Sequence, residues 1–295
     1  MKLGLGSVQF GLDYGIANSK GKTAAETVAA ILELAAERGI TVLDTATSYG
    51  DSEAVMGRAL PPGQPFRVVS KTRYFRLPTI SKDDAATLQT DFRASLERLG
   101  VDRLYGLLLH HCDDLFVPGG ERLLAAMAEF KDRGLVEKIG VTVYERRQIE
   151  AVLAGFAIDL IQLPINVLDQ RLTAGDFLAS IKRAGVEIHA RSAFLQGLLL
   201  MPPEEMPDYF APIRPLMHDY RAAITASGMT AVQAALAFVR RNQAVDHVLV
   251  GVTSRAELAE ILSAFEGPAF AEFDFSPFAV DDVRMVDPSQ WQVAA

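Results

Sequence analysis

Short, almost uninterrupted apolar runs alternate with longer amphipathic stretches along this chain. The runs fall at 2–5, 41–44, 67–71, 104–110, 139–141, 160–163, 187–191 and 247–250. Runs this short and this apolar suit parallel strands buried on both faces. Between them, the segment 23–38 sets Val28, Ile31, Leu32 and Ala35 on one helical face, with Thr23 and Glu26 in capping-box spacing at its start. The segments 83–99, 120–133, 146–155, 174–184, 229–241 and 255–265 have the same texture. Gly39, Gly100, Gly134 and Gly185 each stand just after such a segment, where a helix end favours a left-handed residue.

Eight strands alternating with helices predict an α/β chain folded as a (β/α)8 TIM barrel over roughly residues 1–265. A doubly wound open sheet is the competing arrangement. It would divide into two halves, and no Pro/Gly/Ser linker or shift of composition marks such a boundary, so one domain over 1–295 is expected. Residues 201–215 carry five prolines and read as an extended loop after a strand. The tail, 266–295, is irregular but holds Phe270, Phe273, Phe275, Phe278 and Trp291, enough to pack on the barrel or to wall a pocket.

Composition narrows the function classes. Lys and Arg number 29 against 37 Asp and Glu, a net charge of −8 with a pI near 5.2. An acidic chain without a basic block is a poor partner for nucleic acid or an anionic membrane. No signal-peptide core follows Met1, and no run approaches the ~20 apolar residues of a membrane span. A single Cys rules out an internal disulfide. A cytoplasmic protein acting on a small molecule is expected.

In a barrel, chemistry sits at the C-terminal ends of the strands. Asp44 and Tyr49 follow the second predicted strand, Lys71 ends the third and His110 the fourth. A free phenol, with a pKa near 10, is a reluctant proton donor, and a neighbouring ammonium would lower that value. Lys71 could supply the ammonium and Asp44 could hold it. Tyr49 would then protonate the oxygen of a carbonyl as hydride arrives at carbon, with a neutral His110 donating to the same oxygen. The set suits carbonyl reduction or alcohol oxidation.

The segment Leu43-Asp44-Thr45-Ala46-Thr47-Ser48-Tyr49-Gly50, with Ser52-Glu53, resembles the aldo-keto reductase signature. Val69-Ser70-Lys71 and Leu99-Gly100-Val101-Asp102 through His110 are similar to that family's lysine and histidine strands. The resemblance continues at 138–142, 161–166, 191–199 and 250–253. It implies a nicotinamide cofactor bound across the barrel mouth, NADP(H) in preference to NAD(H), and an aldehyde or ketone as substrate. By position, it implies that Thr142 and Gln162 bond the carboxamide. By the same resemblance, Arg191 would lie beside the nicotinamide, Ser192, Leu195, Gly197 and Leu198 would pass the pyrophosphate, and Thr253, Ser254, Arg255 and Glu260 would flank the adenosine.

Four positions depart from the family pattern. Val143 replaces an Asn, and Arg191 stands where many members stack a Tyr; a cation there could tune hydride chemistry or hold an anionic substrate. Glu257 would repel an adenosine 2′-phosphate that Arg255 could attract. His111 replaces a common Trp, which implies a more polar pocket. The opening Gly6–Gly15 segment is similar to bacterial members found near sugar and polysaccharide biosynthesis, which points to a sugar-like carbonyl.

Other chemistries fit less well. The run His110-His111-Cys112-Asp113-Asp114 lacks metal-ligand spacing, and adjacent strand residues point to opposite faces, so no metal is expected. His189, His218 and His247 are isolated in sequence and read as structural or surface groups. Competing functions are a Schiff-base aldolase using Lys71, which a carboxylate partner would disfavour, and a non-catalytic cofactor-binding redox sensor.

Overall fold

The computed structural model describes residues 1–60, 63 and 65–292. Eight parallel strands close on themselves: β1 (Lys2–Gly6), β2 (Val42–Asp44), β3 (Arg67–Lys71), β4 (Leu104–Leu109), β5 (Val136–Thr142), β6 (Leu160–Pro164), β7 (Glu187–Arg191) and β8 (His247–Gly251). The helices are α1 (Val8–Gly11), α2 (Ala25–Glu37), α3 (Ser52–Ala59), α4 (Lys82–Leu99), α5 (Glu121–Asp132) and α6 (Arg146–Gly155). They continue with α7 (Phe177–Arg183), α8 (Arg214–Ala226), α9 (Ala231–Arg240), α10 (Arg255–Glu266) and α11 (Val283–Val286). This is the (β/α)8 TIM barrel that the alternation of apolar runs predicts.

Each predicted strand is present. Every residue of β2, β4 and β6 is buried, as double-sided packing requires. The inner side holds Val42, Val69, Tyr105, Leu108, Leu160 and Leu249, while a larger apolar layer lies between the strands and the helices. Closure is uneven. Residues Lys2–Gly6 pair with His247–Gly251 in five register pairs, whereas β7 and β8 share only two, His189↔His247 and Ala190↔Val248.

Local signals held in part. The glycines at 39, 100, 134 and 185 all have positive φ, between 64° and 82°. The capping box expected from Thr23 and Glu26 does not form. Helix α2 begins at Ala25 with Ala24 as its cap, because the Thr23 backbone N–H is spent on Gln9 O at 2.9 Å and its hydroxyl is buried. Ser81 instead closes a capping box with Asp84 at the head of α4. The proline-rich region is not simply extended: it winds through short 3-10 turns, and Arg214 and Pro215 start α8.

The tail packs as a wrap. Phe278 meets Tyr220 on α8, Phe275 meets Phe238 on α9, and Trp291 meets Phe210. No described tail residue lines the main cleft; residues 293–295 of the expected tail lie outside the described residues. Among the described residues, no single helix is long and apolar enough to cross a membrane.

Two histidines read as isolated are not. His189 and His247 meet edge to face, 4.8 Å between ring centroids, at the end of the barrel where its strands begin. His189 Nε2 lies 2.7 Å from Glu187 Oε1, and Tyr105 donates to Glu187 Oε2 at 2.6 Å, with Lys138 on the same oxygen. Sequence could not join them, because the partners come from four strands and meet only when the sheet closes.

Candidate active site

The C-terminal strand ends surround a cleft of about 510 Å³. Asp44 closes β2, Lys71 closes β3, Thr142 closes β5, Arg191 closes β7, and His110 follows β4 directly. All of them line the cleft together with Tyr49 and Gln162, so the structure brings the four expected residues Asp44, Tyr49, Lys71 and His110 to one place.

Lys71 is buried, 1% exposed, and donates to Asp44 Oδ2 at 2.6 Å and to Thr45 O at 3.0 Å. Gln162 Nε2 takes the other Asp44 oxygen at 2.8 Å. The carboxylate is thus held on both oxygens, by a donor from the adjacent β3 and by one from β6 across the barrel. Burial pushes Lys71 below its ordinary pKa, and Asp44 opposes that shift. Lys71 Nζ lies 4.9 Å from the centre of the Tyr49 ring, and Tyr49 meets His110 edge to face at 5.8 Å.

The electrostatics of Tyr49 differ from the expectation that Lys71 lowers its pKa. Burial and the Asp44 charge push the phenol well above its usual value, with Arg191 pulling the other way. The phenol is therefore protonated at neutral pH. His110 is pushed down to about 2 by burial and by the Lys71 and Arg191 charges, so its imidazole is neutral.

A family model described as the aldo/keto reductase family matches residues 2–276. The chain belongs to the aldo/keto reductase family. The aldo-keto reductase str7 of Strobilurus tenacellus is 30% identical over 197 residues, 66% of this chain and 56% of that protein. L-galactose dehydrogenase of Arabidopsis thaliana is 26% identical over 266 residues, covering 83% and 79%. The aldo-keto reductase YhdN of Bacillus subtilis (strain 168) is 29% identical over 158 residues, covering 51% and 46%. The chain thus matches about half the length of str7 and YhdN. Among solved structures, the holo form of AKR11C1 from Bacillus halodurans superposes with a TM-score of 0.74 at 20% identity, covering 94% and 90%. The glycerol dehydrogenase AKR11B4 of Gluconobacter oxydans gives 0.70 at 19%, covering 97% and 92%. At such identities the likeness is one of fold.

The other expected residues of this family member divide into two groups. Ser192, Leu195, Gly197 and Thr253 line the cleft. Leu198 is buried in the core, Ser254 caps α10 by accepting from Glu257 N, Arg255 is exposed and paired with Glu37 at 3.3 Å, and Glu260 is exposed. The Thr142 hydroxyl donates to His110 O at 2.6 Å. Glu257 lines the cleft, accepting from Thr253 N and Oγ1 and pairing with Lys20 at 3.1 Å.

Backbone strain concentrates after β7. Ser192, Leu195 and Gln196 all have positive φ, 60°, 47° and 54°, which L-residues adopt at a cost of order 1–3 kcal/mol each. Gly197 has φ 92°, and a Cβ there would meet Ala17 Cβ at 2.4 Å. A loop held this way presents its backbone to the cleft. Gly251, at the end of the adjacent β8, makes a comparable close approach, where a Cβ would stand 2.5 Å from Gln9 Oε1, itself buried without a partner. Thinned walls, cationic Lys20 and buried amides fit an extended dinucleotide.

Sequence reading missed three phenols. Tyr14, Tyr74 and Tyr144 line the cleft with Tyr49. The Tyr74 hydroxyl lies 2.9 Å from His110 Nε2, its ring stacks on the imidazole at 4.1 Å, and Ser48 Oγ is 3.2 Å from Nδ1. Tyr74 stands three residues after Lys71, and that loop position was the available signal. His111 points to Asp114, 3.3 Å away, and burial pushes the Cys112 thiol up, leaving it inert.

Proposed function

We propose that this protein is an NAD(P)H-dependent oxidoreductase that reduces an aldehyde or ketone to an alcohol, or runs the reverse. The observation that carries the reading is the convergence of a protonated phenol, a neutral imidazole and a buried Lys–Asp pair on one cleft. A nicotinamide cofactor, when bound, supplies or accepts the hydride. Tyr49 donates the proton that the product oxygen requires. His110 Nε2 orients the carbonyl oxygen, and Asp44 fixes the Lys71 charge beneath the Tyr49 ring.

Thr142, Gln162, Ser192, Leu195, Gly197 and Thr253 are the cleft residues that would hold the cofactor. NADP(H) is preferred over NAD(H) in this reading, with Lys20 as the cation for a 2′-phosphate, since Lys20 lines the cleft and Arg255 does not. The single barrel with its wrapped tail forms one functional unit. Polar side chains in the cleft, among them Gln162, Ser192 and Tyr144, and the names of two similar proteins, an L-galactose dehydrogenase and a glycerol dehydrogenase, support a polar, sugar-like substrate. Asp44 at 2.6 Å favours the charged Lys71 and counts against a Schiff base.

The test is NADPH and NADH consumption, followed at 340 nm, against a panel of sugars and small aldehydes. Turnover with at least one carbonyl is expected, with the higher kcat/KM for NADPH. Tight cofactor binding without any oxidation would replace this reading with a sensor, and greater efficiency with NADH would assign Glu257 to a ribose diol.

A further inference from the structure

Five charged side chains line the cleft: Lys20, Asp44, Lys71, Arg191 and Glu257. Four are matched in pairs, Lys71 with Asp44 at 2.6 Å and Lys20 with Glu257 at 3.1 Å. Arg191 stands outside that arrangement. Its guanidinium donates only to neutral oxygens, Val143 O at 3.3 Å and Ser192 Oγ at 3.2 Å, and its carbon lies over the Tyr144 ring, 4.2 Å from the centre. Among the described residues no carboxylate lies within ion-pair distance of it.

A partly buried guanidinium is normally paired, because removing it from water costs several kcal/mol that neutral acceptors repay only in part. Arg191 also has five donors in a planar fork suited to carboxylate or phosphate, and the two neutral bonds leave most of them for another partner. The neighbouring Ser192 hydroxyl and the Tyr14 and Tyr144 phenols ring the same part of the cleft. The charge bears on the tetrad as well, depressing His110 and opposing the upward shift of Tyr49.

We infer that Arg191 is an anion seat, and that the carbonyl substrate carries a carboxylate or phosphate which pairs with it. The inference rests on the reductase reading above and specifies its substrate class. Within an acidic chain of net charge −8, a single uncompensated cation at the reacting end of the cleft selects an anionic substrate locally, where the general field would not.

The experiment compares matched aldehydes that differ in charge: 4-oxobutanoate with butanal, and glyceraldehyde 3-phosphate with glyceraldehyde. In the wild type, kcat/KM should favour the anionic member of at least one pair by about tenfold to a hundredfold, the value of a charge-assisted contact. Arg191→Met should bring that ratio close to one, whatever happens to the absolute rates, and Arg191→Lys should keep part of it. Equal efficiency within each wild-type pair overturns the inference and leaves the reductase reading standing. So does an Arg191→Met variant that keeps the ratio but loses more than about tenfold in NADPH affinity, since the guanidinium then serves the cofactor pyrophosphate.

Calorimetric titration of the NADP⁺-loaded protein with butyrate and with glycerol 3-phosphate reads the site without turnover. Binding of either anion to the wild type and its loss in Arg191→Met supports the seat even if the whole panel of sugars and aldehydes gives no turnover, an outcome that would sink the reductase reading alone. Absence of anion binding together with absence of turnover overturns both.

Discussion

Lys71 and Asp44 form a buried ion pair of 2.6 Å whose carboxylate is held from the other side by Gln162. Buried pairs are fragile to the loss of one member and tolerant of the loss of both. Asp44→Asn should therefore cost about 3–5 kcal/mol in urea unfolding, because it strands the ammonium. The double change Asp44→Leu with Lys71→Met should be less destabilised than the sum of the two singles. Simple additivity would mean that the two groups are stabilised independently.

Tyr49→Phe removes the phenolic proton and little else. Turnover should fall by the ~10²–10⁴-fold typical of a lost general acid, while NADPH affinity, read by fluorescence quenching, stays within a few-fold. Near-normal turnover would remove Tyr49 from the chemistry.

Tyr74 occupies His110 Nε2, the nitrogen that the proposed reaction needs at the carbonyl oxygen. Tyr74→Phe keeps the stacked ring and deletes the competing hydroxyl. A net hydrogen bond of about 0.5–1.5 kcal/mol is at stake, so kcat/KM should rise roughly two- to tenfold, chiefly through KM. A fall would show that the hydroxyl helps to bind substrate.

His110 links stability to pH. Its pKa is pushed from 6.5 when unfolded to about 2 in the fold, so below about pH 6.5 the unfolded chain takes up a proton that the native protein refuses. Native stability is lost progressively as pH falls through that window, with a slope of up to about 1.4 kcal/mol per pH unit for one proton. Urea midpoints between pH 7 and pH 5 should decline more steeply in the wild type than in His110→Gln. Parallel slopes would mean that His110 titrates normally.

Gly197→Ala places a Cβ 2.4 Å from Ala17 Cβ at a φ of 92°. The strained loop must shift, and KM for NADPH should rise while the substrate ratio at Arg191 is preserved. An unchanged KM would separate this loop from the cofactor.

The barrel and four polar groups were legible because each depends on local pattern. Parallel strands buried on both faces declare themselves as apolar runs, and a polar residue closing such a run, as Asp44 and Lys71 do, stands out. What escaped depends on neighbours distant in sequence. Tyr14 and Tyr144 reach the cleft from loops, and Glu187, His189 and His247 meet across strands. Helix α8 was hidden by the proline-rich run before it and by Pro215, a proline that a helix tolerates in its first turn. Arg191 was visible as an oddity, but its lack of a charged partner is a property of the folded site.

A barrel has no edge strand, yet its fence has a thinnest panel. The two register pairs between β7 and β8 are supplemented by side chains: Ile188 N–H is held by the Asp246 carboxylate at 2.8 Å, beside the Glu187–His189–His247 group. These contacts act as a latch where the ladder itself is short. The amides that bond across the β7–β8 seam should therefore be the first of the sheet to exchange with solvent, and mutations at the latch should change that order without touching the chemistry at the far end of the same strands.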